Sequence, residues 1–421
     1  MLLKGLMRLV GKLFKKFVGS LGLTVCLPIV LLFRVVRPIV EIRYGFLFVD
    51  RVGHFVFDLE YYLTESVVTP KRKRHIDLFF VNGKVCNLAL LEMMKRHVVV
   101  NQFVEYLFNA EKLVPGRRNL LYPARVRLGS TDHTGIFSKA PPQLNFTEAE
   151  HRQGEHYLRS VNCPANARIV CLVVRDSAYL DSIRPNRNWS YHSYRDTTLE
   201  NYRSVALYLA QKGYWVFRMG KVVKQEFDVD HPRVIDYARS VNRSDFLDIW
   251  LLGRCFFAIS TSTGLDSVAD AFRKPIAFVN FLPLAWFQTW THCVLAPCHL
   301  FWRSTGEELT CAEHLANSYL RAEDYEKAGI EVRELSGEEI LQIVKELNSE
   351  LTNGTDIYGL DREKQKEFWR LLNGTLTGAL DTEIQSALPS AFRIPTATAI
   401  EVHKKAWISR TFLDQAPNFL G

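Results

Sequence analysis

The sequence has no cysteine framework. Its eight cysteines include no C-x-x-C pair, and Cys26, Cys86, Cys163, Cys171 and Cys255 lie far apart, several of them inside apolar runs. That excludes a disulfide-stapled secreted scaffold and fits a reduced cytoplasm. Cys293, Cys298 and Cys311 fall near His292, His299 and His314, but their spacing matches no standard zinc pattern. Buried free thiols are the preferred reading, with no metal expected. There is no short internal repeat and no low-complexity tract, which excludes solenoids and disordered chains. No small-x-small cleavage site precedes the first expected strand, which weakens a cleaved signal peptide. The basic run Lys71-Arg72-Lys73-Arg74 has no accompanying aromatic-basic module, so nucleic acid is not an expected partner.

What is present describes a globular chain. Over 421 residues, 48% are hydrophobic and 23% charged, with 27 Phe, 16 Tyr and 8 Trp. The length exceeds what one ordinary core holds, so two domains are expected. The net charge of +8 favours anionic partners such as acidic lipid or phosphorylated substrates.

Part of that charge lies at the N-terminus. Lys4, Arg8, Lys12, Lys15 and Lys16 recur at helical spacing among leucines, the pattern of a basic amphipathic helix on an anionic bilayer. An apolar run from Phe17 to Phe33 follows, broken by Gly19, Gly22 and Pro28 and closed by Arg34 and Arg37. A spanning helix needs about 20 apolar residues, so this run is marginal. A single span, an interfacial hairpin bent at Pro28 and an ordinary core helix compete. Charges at both ends favour the hairpin, and residues 1–43 are read as membrane-associating.

Beyond Arg43, short apolar strands alternate with helices, which predicts parallel sheets in an α/β fold. Expected strands are Tyr44–Val49, Ile76–Val81, Arg168–Val174, Tyr214–Met219, Val234–Tyr237, Cys255–Ser260 and Ile276–Val279. Expected helices include Phe55–Leu63, Asn87–Lys95, Leu199–Lys212, Ser244–Leu252 and Thr263–Phe272. Residues 115–145 read as a loop-rich connection. The domains are placed at 44–160 and 161–335, followed by a helical extension, 336–421, able to cross back to the first domain.

The strongest local signal is Ser260-Thr261-Ser262-Thr263-Gly264, between an expected buried strand and a helix. Small hydroxyl residues and a glycine let backbone N–H groups approach an anion at a helix start. The same residues also serve an ordinary capped helix with no ligand. Arg175 and Asp176 follow one strand of the same expected sheet, and Arg218 and Lys221 follow another. Cations at successive strand ends, beside a hydroxyl-rich turn, are what a diphosphate requires. The loop from Asn188 to Asp196 is rich in hydrogen-bonding groups, and Tyr179, His192 and Arg195 are candidate substrate contacts. In the first half, His54 has a pKa suited to general base catalysis and Asp58, one turn later, to orienting it. Asp50 and Glu60 are rival bases.

These segments resemble a family of glycosyltransferases encoded in bacterial surface-polysaccharide gene clusters. The text that carries the resemblance includes Arg51-Val52-Gly53-His54, Val174 to Leu180, Tyr191 to Asp196, Gly213 to Lys221, Ile235-Asp236-Tyr237-Ala238, Asp245 to Leu251 and Ser260 to Gly264. The resemblance implies a GT-B architecture, with two Rossmann-like domains facing a cleft, the acceptor domain first and the donor domain second. It implies a nucleotide-diphosphate-sugar donor, a glycan or lipid-linked acceptor, no cofactor and no metal. The site would then act at the cytoplasmic face of the inner membrane, with Asp236 joining the donor-binding set. More distantly, Val173-Val174-Arg175-Asp176 is similar to a motif of inverting fucosyltransferases, which implies that Arg175 contacts the donor diphosphate. A non-catalytic nucleotide- or glycan-binding subunit of a membrane assembly is the alternative.

Overall fold

Runs of aromatic and β-branched residues start the first sheet. Strand β1 (Glu41–Phe48) pairs in parallel with β2 (His75–Asn82) along its whole length, from Glu41 against His75 to Phe48 against Asn82. The short strands β3 (Val99–Val100) and β4 (Leu120–Leu121) complete a parallel sheet of order β3-β2-β1-β4. The computed structural model describes residues 22–69, 74–116, 119–123, 132, 135–175, 194–287, 289–378 and 403–421. The chain divides into two compact units, Met1–Ser130 and Thr131–Gly421.

In the first unit, helix α1 covers residues 22–35, and α2 (Val52–Val68), α3 (Leu88–Lys95) and α4 (Val104–Leu113) follow. Asn87 caps α3, its side chain accepting the Leu90 N–H. Cys26 and Val30 of α1 are wholly buried in a cluster with Tyr44, Phe46 and Phe108. Arg34 at the end of α1 forms an ion pair with the buried Glu111. This overturns the bend expected at Pro28, because the helix runs through that residue. Among the described residues no helix is long and apolar enough to cross a membrane.

The second unit is built on a parallel sheet of seven strands. They are β5 (Ile169–Val173), β6 (Trp215–Arg218), β7 (Val234–Ile235), β8 (Phe257–Ser260), β9 (Ile276–Phe281), β10 (Cys293–Pro297) and β13 (Ala406–Ile408). Their order is β13-β10-β9-β8-β5-β6-β7. Every residue of β5, β6, β8, β9 and β10 is buried, so both faces are covered, as parallel sheets require. Helices α5 (Glu148–Ser160), α7 (Asp245–Arg254) and α8 (Asp266–Ala271) form one packed group, and α7 touches β5. Helix α6 (Arg203–Gln211) packs on β6 and on α9 (Gly337–Asn353). After β7 the chain returns to lay β8 on the other side of β5. That reversal opens a crevice at the carboxyl ends of β5 and β8, where open α/β sheets bind ligands.

Two boundaries differ from those expected. Helix α5 belongs to the second unit, because its Gly154 lies flat against Trp250 of α7. A Cβ there would come within 2.1 Å of the indole ring. The extension 336–421 belongs to the second unit and contributes to its sheet. Strand β13 pairs with β10, and Gln365 of helix α10 (Arg362–Gly378) exchanges two hydrogen bonds of 2.9 and 3.0 Å with the Ile408 backbone. Strand β11 (His299–Trp302) pairs antiparallel with β12 (Ile330–Arg333) as a separate ribbon.

Candidate functional site

Strands β5 and β8 are in register through Val173 and Ser260, so the residues after them leave the sheet side by side. The Thr261 N–H donates to the Val173 carbonyl at 3.3 Å, and the Arg175 N–H donates to the Thr261 hydroxyl at 2.9 Å. These bonds fix where the Arg175 side chain departs. Ser260 and Thr261 are buried. The loop then turns sharply because Ser262 adopts a left-handed φ of 58°, uncommon for a residue with a Cβ. Asp266 at the start of α8 gathers the turn, its Oδ2 accepting from the Ser260 hydroxyl at 2.6 Å and the Thr263 N–H at 2.8 Å. Burial pushes the Asp266 carboxyl up to about 6, against the pull of these hydrogen bonds and of Arg195.

Two guanidinium groups sit over this turn. Arg195 Nη2 donates to the Ser262 carbonyl and, at 3.2 Å, to the Ser262 hydroxyl, so the bond to Arg195 holds the strained turn in place. Its Nε is buried without an acceptor. Arg175 Nε meets Asp196 at 3.3 Å, the Arg175 side chain being 14% exposed. Burial lowers the pKa of Arg175, and the nearby Arg195 lowers it further. An arginine carries five N–H donors. Among the described residues the two side chains spend few of theirs, and those of Arg195 go to neutral oxygens. Partly desolvated donors of like charge, converging at the crevice of a parallel sheet, form a receptor for an anion with several oxygens.

The anchoring differs from the expectation in one respect. Helix α8 is only six residues long, and the backbone N–H groups of Thr263 and Ser267 already serve the Asp266 carboxylate. The helix start is therefore filled from within, and the arginines carry the capacity for an anion. Thr263 is also engaged, its hydroxyl accepting the Leu265 N–H at 3.2 Å, and Gly264 follows in the turn.

Arg218 is placed otherwise than a ligand contact requires. It is 1% exposed, and its Nη1 reaches Asp236 Oδ1 and the Gln225 carbonyl, both at 3.2 Å. Asp236 Oδ2 accepts the Phe227 N–H at 2.9 Å. Arg218 and Asp236 thus brace the loop between β6 and β7. Lys221 pairs with Asp245 at 2.9 Å in the first turn of α7. Arg218→Ala is expected to cost about 3 kcal/mol, because it strands a mostly buried carboxylate. Differential scanning calorimetry should show the melting temperature falling by about 8 °C.

His54, Asp58 and Asp50 belong to the first unit. His54 lies half-buried in the first turn of α2, Asp58 is buried one turn later, and Asp50 is half-buried just before the helix. Glu60 of the same helix is fully buried, and Thr64 donates to it at 3.2 Å. Asp176, Tyr179 and His192 lie outside the described residues. Cys293, Cys298 and Cys311 are buried free thiols. His299 is held by Glu308 and Glu339, and His314 is buried with neither ring nitrogen hydrogen-bonded. Against the expectation of a metal-free donor half, Asp228-Val229-Asp230 has the D-x-D spacing of metal-dependent sugar transferases. Both carboxylates are exposed in the loop before β7. No three His, Cys, Asp or Glu side chains gather as metal donors among the described residues.

A cavity of about 440 Å³ opens at the amino ends of β5 and β6, between Arg168, Tyr208, Lys212, Tyr214, Lys345 and Asn348. Its cations lean on aromatic rings, Arg168 on Phe256 at 4.9 Å and Lys345 on Tyr208 at 5.3 Å. It holds no catalytic pairing, and the crevice at the strand ends remains the candidate site.

No protein-family model and no curated protein matches the sequence. Among solved structures, a family 9 glycosyltransferase from Veillonella parvula is similar at 10% identity and a TM-score of 0.40, covering 61% of this chain and 85% of that one. The ADP-heptose lipopolysaccharide heptosyltransferase II of E. coli is similar at 12% identity and a TM-score of 0.36, covering 57% and 85%. The iron-containing dodecameric glycosyltransferase TibC of enterotoxigenic E. coli is similar at 14% identity and a TM-score of 0.34, covering 74% and 77%. Likenesses this faint carry no argument about chemistry, which rests on the chain's own residues.

Proposed function

We propose that the chain is a glycosyltransferase that takes a sugar from a nucleoside diphosphate donor, with Arg175 and Arg195 holding the diphosphate. The observation that supports this reading is the pair of guanidinium groups at the β5–β8 crevice, fixed by Thr261 and Ser262 and rich in unspent donors. As the bond between the sugar and the phosphate oxygen breaks, negative charge grows on the leaving diphosphate. Donors already in place stabilise that charge without reorganising. They would supply the positive charge that a divalent ion supplies in metal-dependent transferases. The bond to the acceptor oxygen forms as the phosphate oxygen departs, inverting the sugar carbon. His54, supported by Asp58 or replaced by Asp50, would accept the proton of the acceptor hydroxyl. The acceptor class is a growing glycan or a lipid-linked saccharide.

The test is a panel of nucleoside diphosphate sugars presented to the full chain with and without a chelator. The right donor should raise the melting temperature by several degrees and be slowly hydrolysed to free nucleoside diphosphate in the chelator's presence. Stabilisation without turnover on any acceptor would support the non-catalytic nucleotide-binding reading. A panel in which nothing stabilises the protein would refute both, and turnover abolished by the chelator would refute metal independence.

A further inference from the structure

We infer that the outward face of α1 lies in the plane of an anionic lipid bilayer, holding the protein on the membrane surface without crossing it. The two faces of this helix differ in what covers them. Cys26 and Val30 point inward and are wholly buried. On the opposite side Val25 is 51% exposed, Leu31 47%, Leu32 59% and Val35 74%, and Ile39 just beyond the helix is 79% exposed. Pro28 is exposed on the same stripe. These positions recur at three and four residues, so they form one continuous apolar ridge. Isolated exposed apolar residues are ordinary, but a ridge of five or six, with Thr24 as the exposed polar residue at its start, marks an interaction surface.

Charge identifies the occupant. The first acidic residue of the sequence is Glu41, so the forty residues before it carry Lys4, Arg8, Lys12, Lys15, Lys16, Arg34 and Arg37 and no Asp or Glu. Arg34 and Arg37 are paired with Glu111 and Glu41, and the other five precede the helix in the sequence. An apolar ridge that follows in sequence a basic run containing no acidic residue suits a surface that is oily inside and anionic at its rim. The geometry also sets the mode. Over residues 22–35 the helix offers lipid only one of its faces. Its inner face belongs to the β1 core, so lipid cannot surround it. The helix therefore lies in the interface, which replaces the spanning and hairpin readings for residues 22–35. The inference does not depend on the reaction proposed above.

The full chain is floated with vesicles of phosphatidylcholine containing about one third phosphatidylglycerol, and with vesicles of phosphatidylcholine alone. The wild type should float with the anionic vesicles and far less with the neutral ones. Leu31→Glu, Leu32→Glu and Val35→Glu together should lower partitioning by about a hundredfold, leaving nucleotide binding and the melting temperature unchanged. As a second readout, Leu32→Trp should give a blue-shifted emission with anionic vesicles, quenched by probes near the headgroups and not by probes at the bilayer centre. Partitioning unchanged in the triple variant, or no spectral shift in Leu32→Trp, would overturn the proposal. So would a wild type that is dimeric without lipid and a triple variant that is monomeric, because a second copy would then cover the ridge.

Discussion

Replacing Arg175 and Arg195 together with alanine is expected to weaken binding of nucleoside diphosphate by about a thousandfold, with the fold retained. A hydrogen bond to a charged partner contributes about 1.5–3 kcal/mol, so two guanidinium groups together account for roughly 4 kcal/mol. The single variants should each lose between tenfold and a hundredfold, and their effects should not add, because the two groups already repel each other. The retention of the fold follows from what the side chains touch. The bond that fixes the β5 end comes from the Arg175 backbone N–H, which alanine keeps. Arg195→Ala frees the Ser262 carbonyl at a cost of about 1 kcal/mol. Arg175→Lys should recover only part of the affinity, since lysine keeps the charge and loses the forked donors. Isothermal titration with UDP, GDP and ADP, paired with thermal melts, reads both quantities. Unchanged affinity in the double variant would remove the crevice from the donor site. Arg218→Ala is the contrast, since its expected loss is in stability.

The alternation of strand and helix was legible because parallel strands buried on both faces read as unbroken apolar runs. Each expected strand from Tyr44–Val49 to Ile276–Val279 has its counterpart, and Ser244 caps α7 as expected. Strand ends were legible for the same reason, and with them the placing of Arg175 beside Thr261. What the pattern could not show was the partner of each charge. Arg175 comes just after β5 and Arg218 is the last residue of β6, and as charges closing buried runs they look alike in sequence. Only folding brings Asp236 and the Gln225 carbonyl to Arg218 and leaves Arg175 near the mouth of the crevice. Asp266 was likewise invisible as the filler of its own helix start, because a carboxylate there reads equally as a surface residue. The short strand β13 went unread because three residues, Ala406, Trp407 and Ile408, carry too little periodicity to announce a sheet edge. Helix α5 packs in the second unit through Gly154 on Trp250 and Tyr157 on Phe217 and Tyr237, and buried residues on a helix face do not say in sequence which sheet they cover.

Between about pH 6.5 and pH 9 the second unit should lose stability because of one histidine. His299 in β11 faces Glu308 with Nδ1 and Glu339 with Nε2, so both ring nitrogens donate to carboxylates and the ring must be an imidazolium. Burial pulls its pKa down, but the two carboxylates outweigh burial and lift it to about 9. Glu339 is held down to about 2, chiefly by its bond to His299 and also by the Ser336 cap at the start of α9. An unfolded chain releases the histidine proton near 6.5 and the folded one near 9, so the stabilisation is complete below 6.5 and is lost as the pH rises through 9. The shift is worth up to about 3 kcal/mol. The Glu339 contribution has the opposite sense, present above the usual carboxylate range and lost as pH falls toward 2. His314, His292 and His403, held neutral by burial and lowered to about 3, 4 and 4, cost stability only as the pH falls below 6.5. The alkaline arm is thus separable from theirs. His299→Gln should be less stable at pH 6 and lose less stability between pH 6 and pH 9 than the wild type. Urea unfolding at several pH values measures both slopes, and parallel curves for the two proteins would show that the ribbon β11–β12 is not tied to α9 through this charge.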